Sequence, residues 1–541
     1  MTHDREDASD PSGVTSSGDD PGRWPTRDLL THRVAATPER PALVDTADGR
    51  SWTYGELDRV VDEMAAALGP GGPVGTVLET RVAFVTLVHA AMRTGRTLVP
   101  LNVQLPTETL TDQARRAGVD LLVCGRDTER VAREVAPGPV ASVDPPEGEG
   151  VDRVSPGTSA RSEPGAGDEL DPEAEDGLDP EAEGGLDPEA EATSESPPLS
   201  PADTAVLMFT SGTTGTPKGV RLTVGNLVWS AVASAFRLGV SPGNRWLCCL
   251  PMYHMGGLAP ALRCALYGTS LAIQAGFDAE RTAEAVEAYG ITGVSLVPAQ
   301  LGRLLDAGWE PPAAFGTVLL GGAPAGRNLL DRARDQGVPV YPTYGTTETA
   351  SQVATATPAQ AAEHPGTVGQ PLAVTDVTVL ADGEPAGPGE VGELVVSGPT
   401  VTPGYLDAER TAEAVGQYGF HTGDLGYRDG AGRLWVEGRV DDAITTGGET
   451  VYPTTVADTL REHSEVRDAA VVGLPDKEWG ERVAALVVPD GDIDPEELRE
   501  FCRGRVADYA VPKTVGVAEI IPRTASGTVD REAVRERLPR R

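Results

Sequence analysis

The residues most ready to do chemistry sit together at the end of an apolar run. Ala205–Phe209 leads directly into Thr210, Ser211, Gly212, Thr213, Thr214, Gly215, Thr216, Pro217, Lys218 and Gly219. Glycines let backbone N–H groups close around an anion, and hydroxyls add donors. Lys218 brings a full positive charge and is one of only three lysines, with Lys477 and Lys513. The spacing is not that of a Walker A loop. An apolar strand running into so many small donors and a rare lysine nevertheless reads as a phosphate cradle.

Such a cradle needs a scaffold, and the surrounding sequence supplies one by alternation. Thr97–Leu101 reads as a strand, Glu108–Ala117 as a helix and Asp120–Cys124 as the next strand. Gly293–Val297, Gln300–Ala307, Gly316–Leu320, Arg327–Gln336 and Val338–Tyr341 repeat the strand–helix rhythm. Repeated units of this kind predict an α/β fold: a large N-terminal domain over 23–438 with mainly parallel sheets flanked by helices. Ligands then belong beyond the C-terminal ends of the strands. After Arg439 the pattern changes to helices Thr455–Glu462 and Pro495–Arg505 with strands Ala469–Val472 and Val483–Val488, a small mobile α+β C-terminal domain over 439–541. Residues 1–22 lack apolar periodicity and are expected to be a disordered acidic tail. The same is expected of 144–200, where LDPEAEDG, LDPEAEGG and LDPEAEAT follow one another between 170 and 193. An acidic, proline-punctuated octet buries no core, so this segment reads as an insert within the large domain.

The cradle resembles the signature loop of adenylate-forming (AMP-binding) enzymes, the acyl-CoA synthetases among them. Further motifs follow in family order over about 500 residues: Gly321, Gly322, Ala323 and Pro324; Tyr344, Gly345, Thr346, Thr347 and Glu348; His421 to Asp424; and Gly438, Arg439, Val440, Asp441 and Asp442. The resemblance implies ATP, Mg2+ and CoA as reactants and cofactor, and a small-molecule carboxylic acid as substrate. It places the cradle, with Thr210 and Lys218, on the phosphates, and Gly321, Gly322 and Ala323 on the adenine side. Tyr344 to Thr347 form a second nucleotide motif, and Glu348 is a magnesium ligand. Asp424 meets the ribose, Arg439 meets ribose or phosphate, and Asp441 is the hinge. Each assignment suits its group: a carboxylate oxygen is a hard-cation ligand, and a guanidinium is a multivalent donor.

His254, in Pro251–Gly257, matches the family's acyl-pocket histidine. Nine residues on, Arg263 interrupts the apolar stretch Gly257–Gly268. An arginine there must find an anion or an exit to water. At this spacing it resembles the o-succinylbenzoate–CoA ligases of menaquinone biosynthesis, where the arginine meets the substrate's second carboxylate. Near the C-terminus the resemblance breaks. The family's lysine position holds Thr528, and Arg523, Arg531 and Lys513 are the nearby cations that could replace it.

Composition narrows the setting. The chain has 541 residues and a formal net charge of -37, from 82 acidic residues against 45 lysines and arginines. That charge argues against nucleic acid as a partner. No apolar run reaches membrane-spanning length, and the N-terminus has no signal-peptide core. Five cysteines form no C-x-x-C pair, so a reducing cytoplasm fits. Acidity with scarce lysine points to a salty cytoplasm, as in a halophile. The acid–CoA ligase reading competes with three others. These are a ligase for another aryl or short-chain acid, a non-catalytic adenylate-binding protein suggested by Thr528, and an adenylation module that loads a separate carrier protein. The oligomeric state is left open.

Overall fold

A computed structural model describes residues 28–154, 161–162, 199–210, 217–523 and 529–539. Two sheets form the large part. One runs in the order Ala354–Thr355, Val340–Tyr344, Thr317–Leu320, Gly293–Leu296, Arg245–Cys248, Ser270–Ile273, Pro41–Asp45, Arg50–Thr53, Arg161–Ser162. Its interior pairs, from Val340–Tyr344 to Pro41–Asp45, are all parallel. The second runs Lys218–Thr223, Thr204–Thr210, Leu98–Pro100, Val74–Val77, Leu121–Cys124, Val140–Ser142, Val151–Arg153, parallel except for its first hairpin. Strands buried on both faces read as continuous apolar runs, and the burial of Gly293–Leu296 and Val74–Val77 is complete.

The helices between these sheets carry apolar residues on nearly every side. Val82–Arg93 is buried from Ala83 to its last residue. Its neighbour Tyr54–Leu68 starts at a capping box, in which the Thr53 hydroxyl accepts from the Glu56 N–H and the Glu56 carboxylate accepts from the Thr53 N–H. Helix Val224–Leu238 begins the same way with Thr223 and Asn226. One apolar core runs through these helices and into both sheets.

A third sheet, which strand–helix alternation does not anticipate, is antiparallel and lies between Thr367 and Arg439. Its strand Gly419–Arg428 alternates half-buried and buried residues, so His421 to Asp424 lie within a strand rather than in a loop. Strand Leu434–Arg439 ends this sheet, and a turn at Val440–Asp442 leads to the small C-terminal unit. That unit is a five-stranded sheet covered by Pro453–Arg461, Pro495–Cys502 and Arg531–Arg537.

Within 144–200 the structure departs from the expected absence of order. Val151–Arg153 pairs in parallel with Val140–Ser142, and Arg161–Ser162 pairs with Arg50–Ser51. The reason is local: Val151 and Val154 are apolar in an acidic run and are buried. The octet repeats, like residues 1–22, lie outside the described residues.

Helix Val82–Arg93 also carries buried charge. Arg93 is 2% exposed; its Nε donates to Asp28 at 2.7 Å and its Nη1 to Asp62 at 2.8 Å. One turn earlier, burial pushes the imidazole of His89 down to about 4, with Asp28 opposing that shift. The unfolded imidazole titrates near 6.5. Between about 4 and about 6.5 the unfolded chain therefore binds a proton that the folded chain does not, and stability falls as pH drops through this window. Urea unfolding midpoints measured from about pH 7 to about pH 5 are expected to decline, with a shallower decline for His89→Gln. Parallel slopes for the two proteins contradict this account of His89.

Candidate active site

The two ends of the glycine- and hydroxyl-rich segment are paired strands. Thr210 ends one strand, Lys218 opens the next, and the two are register partners. Ser211, Gly212, Thr213, Thr214 and Gly215 lie outside the described residues. The Lys218 ammonium sits 5.3 Å from the centroid of the Tyr405 ring. The Tyr405 hydroxyl in turn donates to a Glu348 oxygen at 3.0 Å. Burial, and then the Glu348 carboxylate, push the Tyr405 phenol well above its ordinary value, so it stays a donor. The tertiary structure thus joins three residues spread over the 188 positions from Lys218 to Tyr405 inclusive.

The loop that presents Glu348 is tightly folded. It follows strand Val340–Tyr344 and turns through Thr347–Thr349. A Cβ at Gly345 would lie 1.6 Å from the Ser351 carbonyl oxygen, so no larger residue fits there. Ala350 and Ser351 both have positive φ, 53° and 116°. Two consecutive non-glycine residues in that region mark stored backbone strain. The backbone carbonyl of Glu348 is anchored by the Thr402 N–H at 2.7 Å.

Asp424 is 7% exposed and has two partners: the Tyr344 hydroxyl at 2.7 Å and Arg439 Nη1 at 2.9 Å. Burial pushes the Asp424 carboxyl up from its ordinary pKa, and Arg439 and Tyr344 oppose that. Register explains the meeting, since Asp424 and Arg439 face each other on adjacent antiparallel strands. Gly321, Gly322 and Ala323 follow strand Thr317–Leu320, at the same end of the sheet as Tyr344. Asp441 is exposed in the turn Val440–Asp442 beyond Arg439.

His254 caps the start of helix Met255–Tyr267. Burial pushes the His254 imidazole below its ordinary pKa, which favours the neutral ring. Its Nε2, the Thr346 hydroxyl and the Arg439 Nε are buried with no hydrogen-bond partner among the described residues. Buried polar atoms are seldom left unpaired, so orphaned atoms on three motif residues mark a place for a polar ligand. With Lys218 and the Glu348 carboxylate, this donor and acceptor set fits a nucleotide with its magnesium ion.

Arg263 lies on the same helix as His254 and is 9% exposed. Its Nη2 donates to the Ser230 hydroxyl at 3.0 Å, and Ser230 donates on to the Ala350 carbonyl at 2.7 Å. Among the described residues no carboxylate lies within salt-bridge distance of it. Its guanidinium borders a cavity of about 400 Å³, shared with Ser234, Trp246, Tyr267, Ser295 and Thr317. This cavity lies toward the starting ends of the strands, away from the nucleotide motifs. The separation is short. Thr317 lines the cavity, while Gly321 follows the same strand at its C-terminal end, about 13 Å further at the usual rise per residue.

The three cations near Thr528 are placed differently from one another. Arg523 pairs with Asp468 at 2.7 Å, and Lys513 rests 3.5 Å from the centroid of Trp479. Arg531 pairs with Asp442 at 2.7 Å, one residue from the hinge. Thr528 itself lies outside the described residues. Sequence motifs had not pointed to Tyr405 or Ser230. Each acts through a contact made across the fold, and no spacing rule marks it in advance.

A large domain of mainly parallel sheets flanked by helices, followed by a small C-terminal unit, is the fold of adenylate-forming enzymes. The AMP-binding enzyme family matches residues 30–406, and the AMP-binding enzyme C-terminal domain matches 455–528. The chain belongs to this family. It is 35% identical to the 2-succinylbenzoate–CoA ligase of Geobacillus kaustophilus, over 94% of this chain and 98% of that protein. The enzyme of the same name from Bacillus subtilis is 33% identical, over 94% and 97%. Among solved structures, the Bacillus subtilis o-succinylbenzoate CoA synthetase in complex with the acyl-adenylate intermediate OSB-AMP superposes with a TM-score of 0.79 at 30% identity, covering 94% of this chain and 97% of that one. The same enzyme in complex with ATP and magnesium ion gives 0.78 at 30% identity, covering 94% and 99%.

Replacing Asp424 with alanine removes an ionised acceptor. The affinity for AMP, read by titration calorimetry, is expected to fall roughly 10- to 100-fold. An unchanged affinity would separate Asp424 from the nucleotide.

Proposed function

We propose that this chain is an ATP-dependent ligase that converts 2-succinylbenzoate to its CoA thioester, as in menaquinone biosynthesis. The observation that carries the choice of acid is Arg263. It is a buried residue with no carboxylate partner among the described residues, on a cavity whose Thr317 lies about 13 Å along its strand from Gly321. A dicarboxylate spans such a gap, with one carboxylate on Arg263 and the other at the nucleotide. Burial pushes the Arg263 guanidinium below its ordinary pKa, which reflects how poorly its charge is solvated there. An incoming anion relieves that cost.

In the first half-reaction a carboxylate oxygen attacks the α-phosphorus of ATP and pyrophosphate leaves. Lys218 neutralises developing charge on the phosphates, and Tyr405 fixes Glu348 through its hydroxyl. A magnesium ion, held by Glu348, would supply further charge neutralisation. Asp424 and Arg439 hold the ribose side, and neutral His254 faces the acyl group without repelling its carboxylate's cationic partners. In the second half-reaction the CoA sulfur attacks the acyl carbonyl and AMP leaves. Rotation about Asp441 exchanges the small domain's faces between the two steps. Thr528 at the family's lysine position leaves Arg531, already beside the hinge, as the cation favoured to assist adenylation.

The assay is ATP, magnesium, CoA and 2-succinylbenzoate in molar KCl, beside a panel of monocarboxylic acids, with thioesters identified by mass. Thioester from 2-succinylbenzoate, and a rise in its KM of about 100-fold in Arg263→Gln, are the expected results. Product from monoacids alone would retain the ligase and remove the dicarboxylate. ATP binding without pyrophosphate release would favour a nucleotide-binding protein, and transfer only to a carrier protein would favour a loading module.

The setting we infer is the cytoplasm of a halophile. The excess of 82 acids over 45 bases and five free, buried cysteines support it. Among the described residues no helix is long and apolar enough to cross a membrane. Salt shortens the range of self-repulsion from about 10 Å at 0.1 M to about 3 Å at 1 M. The unfolding temperature is therefore expected to rise between those two KCl concentrations. A flat or falling trend would count against the halophile.

A further inference from the structure

Strand Gly419–Arg428 does not pair evenly with its neighbour Gly392–Ser397. Val395 faces His421 and Glu393 faces Leu425, so Leu394 alone stands opposite Thr422, Gly423 and Asp424. The extra residues form a bulge, a device that re-aims side chains beside a site. A bulge leaves backbone N–H groups without ladder partners, and the Glu393 carboxylate takes one of them over. Its Oε1 accepts from the Gly423 N–H at 3.0 Å, and its Oε2 accepts from His421 Nδ1 at 2.8 Å. The Thr422 hydroxyl closes the bulge, accepting from the Asp424 N–H at 3.0 Å and donating to the Leu394 carbonyl at 2.7 Å. Gly423 has a φ of 70°, and a Cβ there would lie 2.8 Å from Arg439 Nη2. The turn that Glu393 holds is therefore the one that leaves room for Arg439 beside Asp424.

We infer that Glu393 is a positioning residue for nucleotide recognition: by holding His421 and Gly423 it sets the bulge that turns the Asp424 carboxylate toward the ribose. Both oxygens of Glu393 are committed to the protein, so its effect on a bound nucleotide passes through Asp424. A carboxylate is the stronger kind of acceptor for a backbone N–H, and its removal leaves the bulge free to change shape. This inference rests on the reading of Asp424 as the ribose acceptor.

The test is titration calorimetry with AMP and with 2′,3′-dideoxy-AMP, which lacks both ribose hydroxyls. It uses the full-length protein, Glu393→Ala, Asp424→Ala and the double variant. Glu393→Ala is expected to raise the Kd for AMP about tenfold and to leave that for 2′,3′-dideoxy-AMP unchanged. In the Asp424→Ala background the same substitution should cost nothing further for AMP. Equal losses for the two nucleotides would make Glu393 a general structural residue and overturn the inference. No loss for AMP, or a full additional loss in the double variant, would overturn it as well. Should Asp424→Ala itself weaken both nucleotides equally, the ribose reading beneath the inference fails instead. If Glu393→Ala fails to fold, seen as loss of a cooperative unfolding transition, Glu393→Gln is the second variant. Its amide oxygen still accepts from Gly423 while the His421 pairing loses its charge, so a loss of about threefold confined to AMP is expected. An equal loss for both nucleotides, or none, overturns the inference there too.

Discussion

The pairing of Asp424 with Arg439 is the contact on which the nucleotide side of the site depends. A carboxylate that is 7% exposed is costly to keep charged, and burial alone would favour its protonated form. Arg439 at 2.9 Å and the Tyr344 hydroxyl at 2.7 Å oppose that tendency. Those two partners come from different sheets. Tyr344 ends a strand of the large parallel sheet, and Arg439 ends the last strand of the antiparallel one. The pair therefore fixes how those sheets meet. Because the turn Val440–Asp442 begins at the next residue, the pair also lies where the chain enters the small C-terminal unit.

A similar economy of position governs the acyl side. Helix Met255–Tyr267 carries His254 at its start and Arg263 in its body, so one element sets the distance between these two side chains. Through Ser230, Arg263 also touches the carbonyl of Ala350, in the strained turn that follows Glu348. Two hydrogen bonds thus connect Arg263 to the backbone two residues beyond Glu348. The same helix packs against Val82–Arg93, with His89 hydrogen-bonded to the Ala261 backbone. Core and site share elements, and a change in one is felt in the other.

Fold and site were legible in the sequence to different degrees. The parallel sheets were legible because strands buried on both faces, alternating with amphipathic helices, leave a coarse pattern. The antiparallel sheet was not, because its strands alternate at period two and are broken by glycines such as Gly419, Gly423 and Gly426, which read as loop. The strand at Val151–Arg153 was hidden for a related reason, since two buried valines are a weak signal inside an acidic run. Of the site, residues within contiguous motifs were legible: Lys218, Glu348, Asp424, Arg439 and Arg263.

What the sequence determined by itself was the chemistry on offer: a glycine- and hydroxyl-rich loop with its lysine, the carboxylates, the guanidinium in an apolar stretch, and the threonine at position 528. These follow from residue type and local order, which the chain carries wherever it folds. What only the tertiary structure decided was which of them meet. Tyr405 joins Lys218 to Glu348, register places Asp424 opposite Arg439, and Glu393 meets the Gly423 N–H across a bulge. Such meetings depend on strand register and helix packing, which are set by the whole core at once and leave no spacing in the sequence to read.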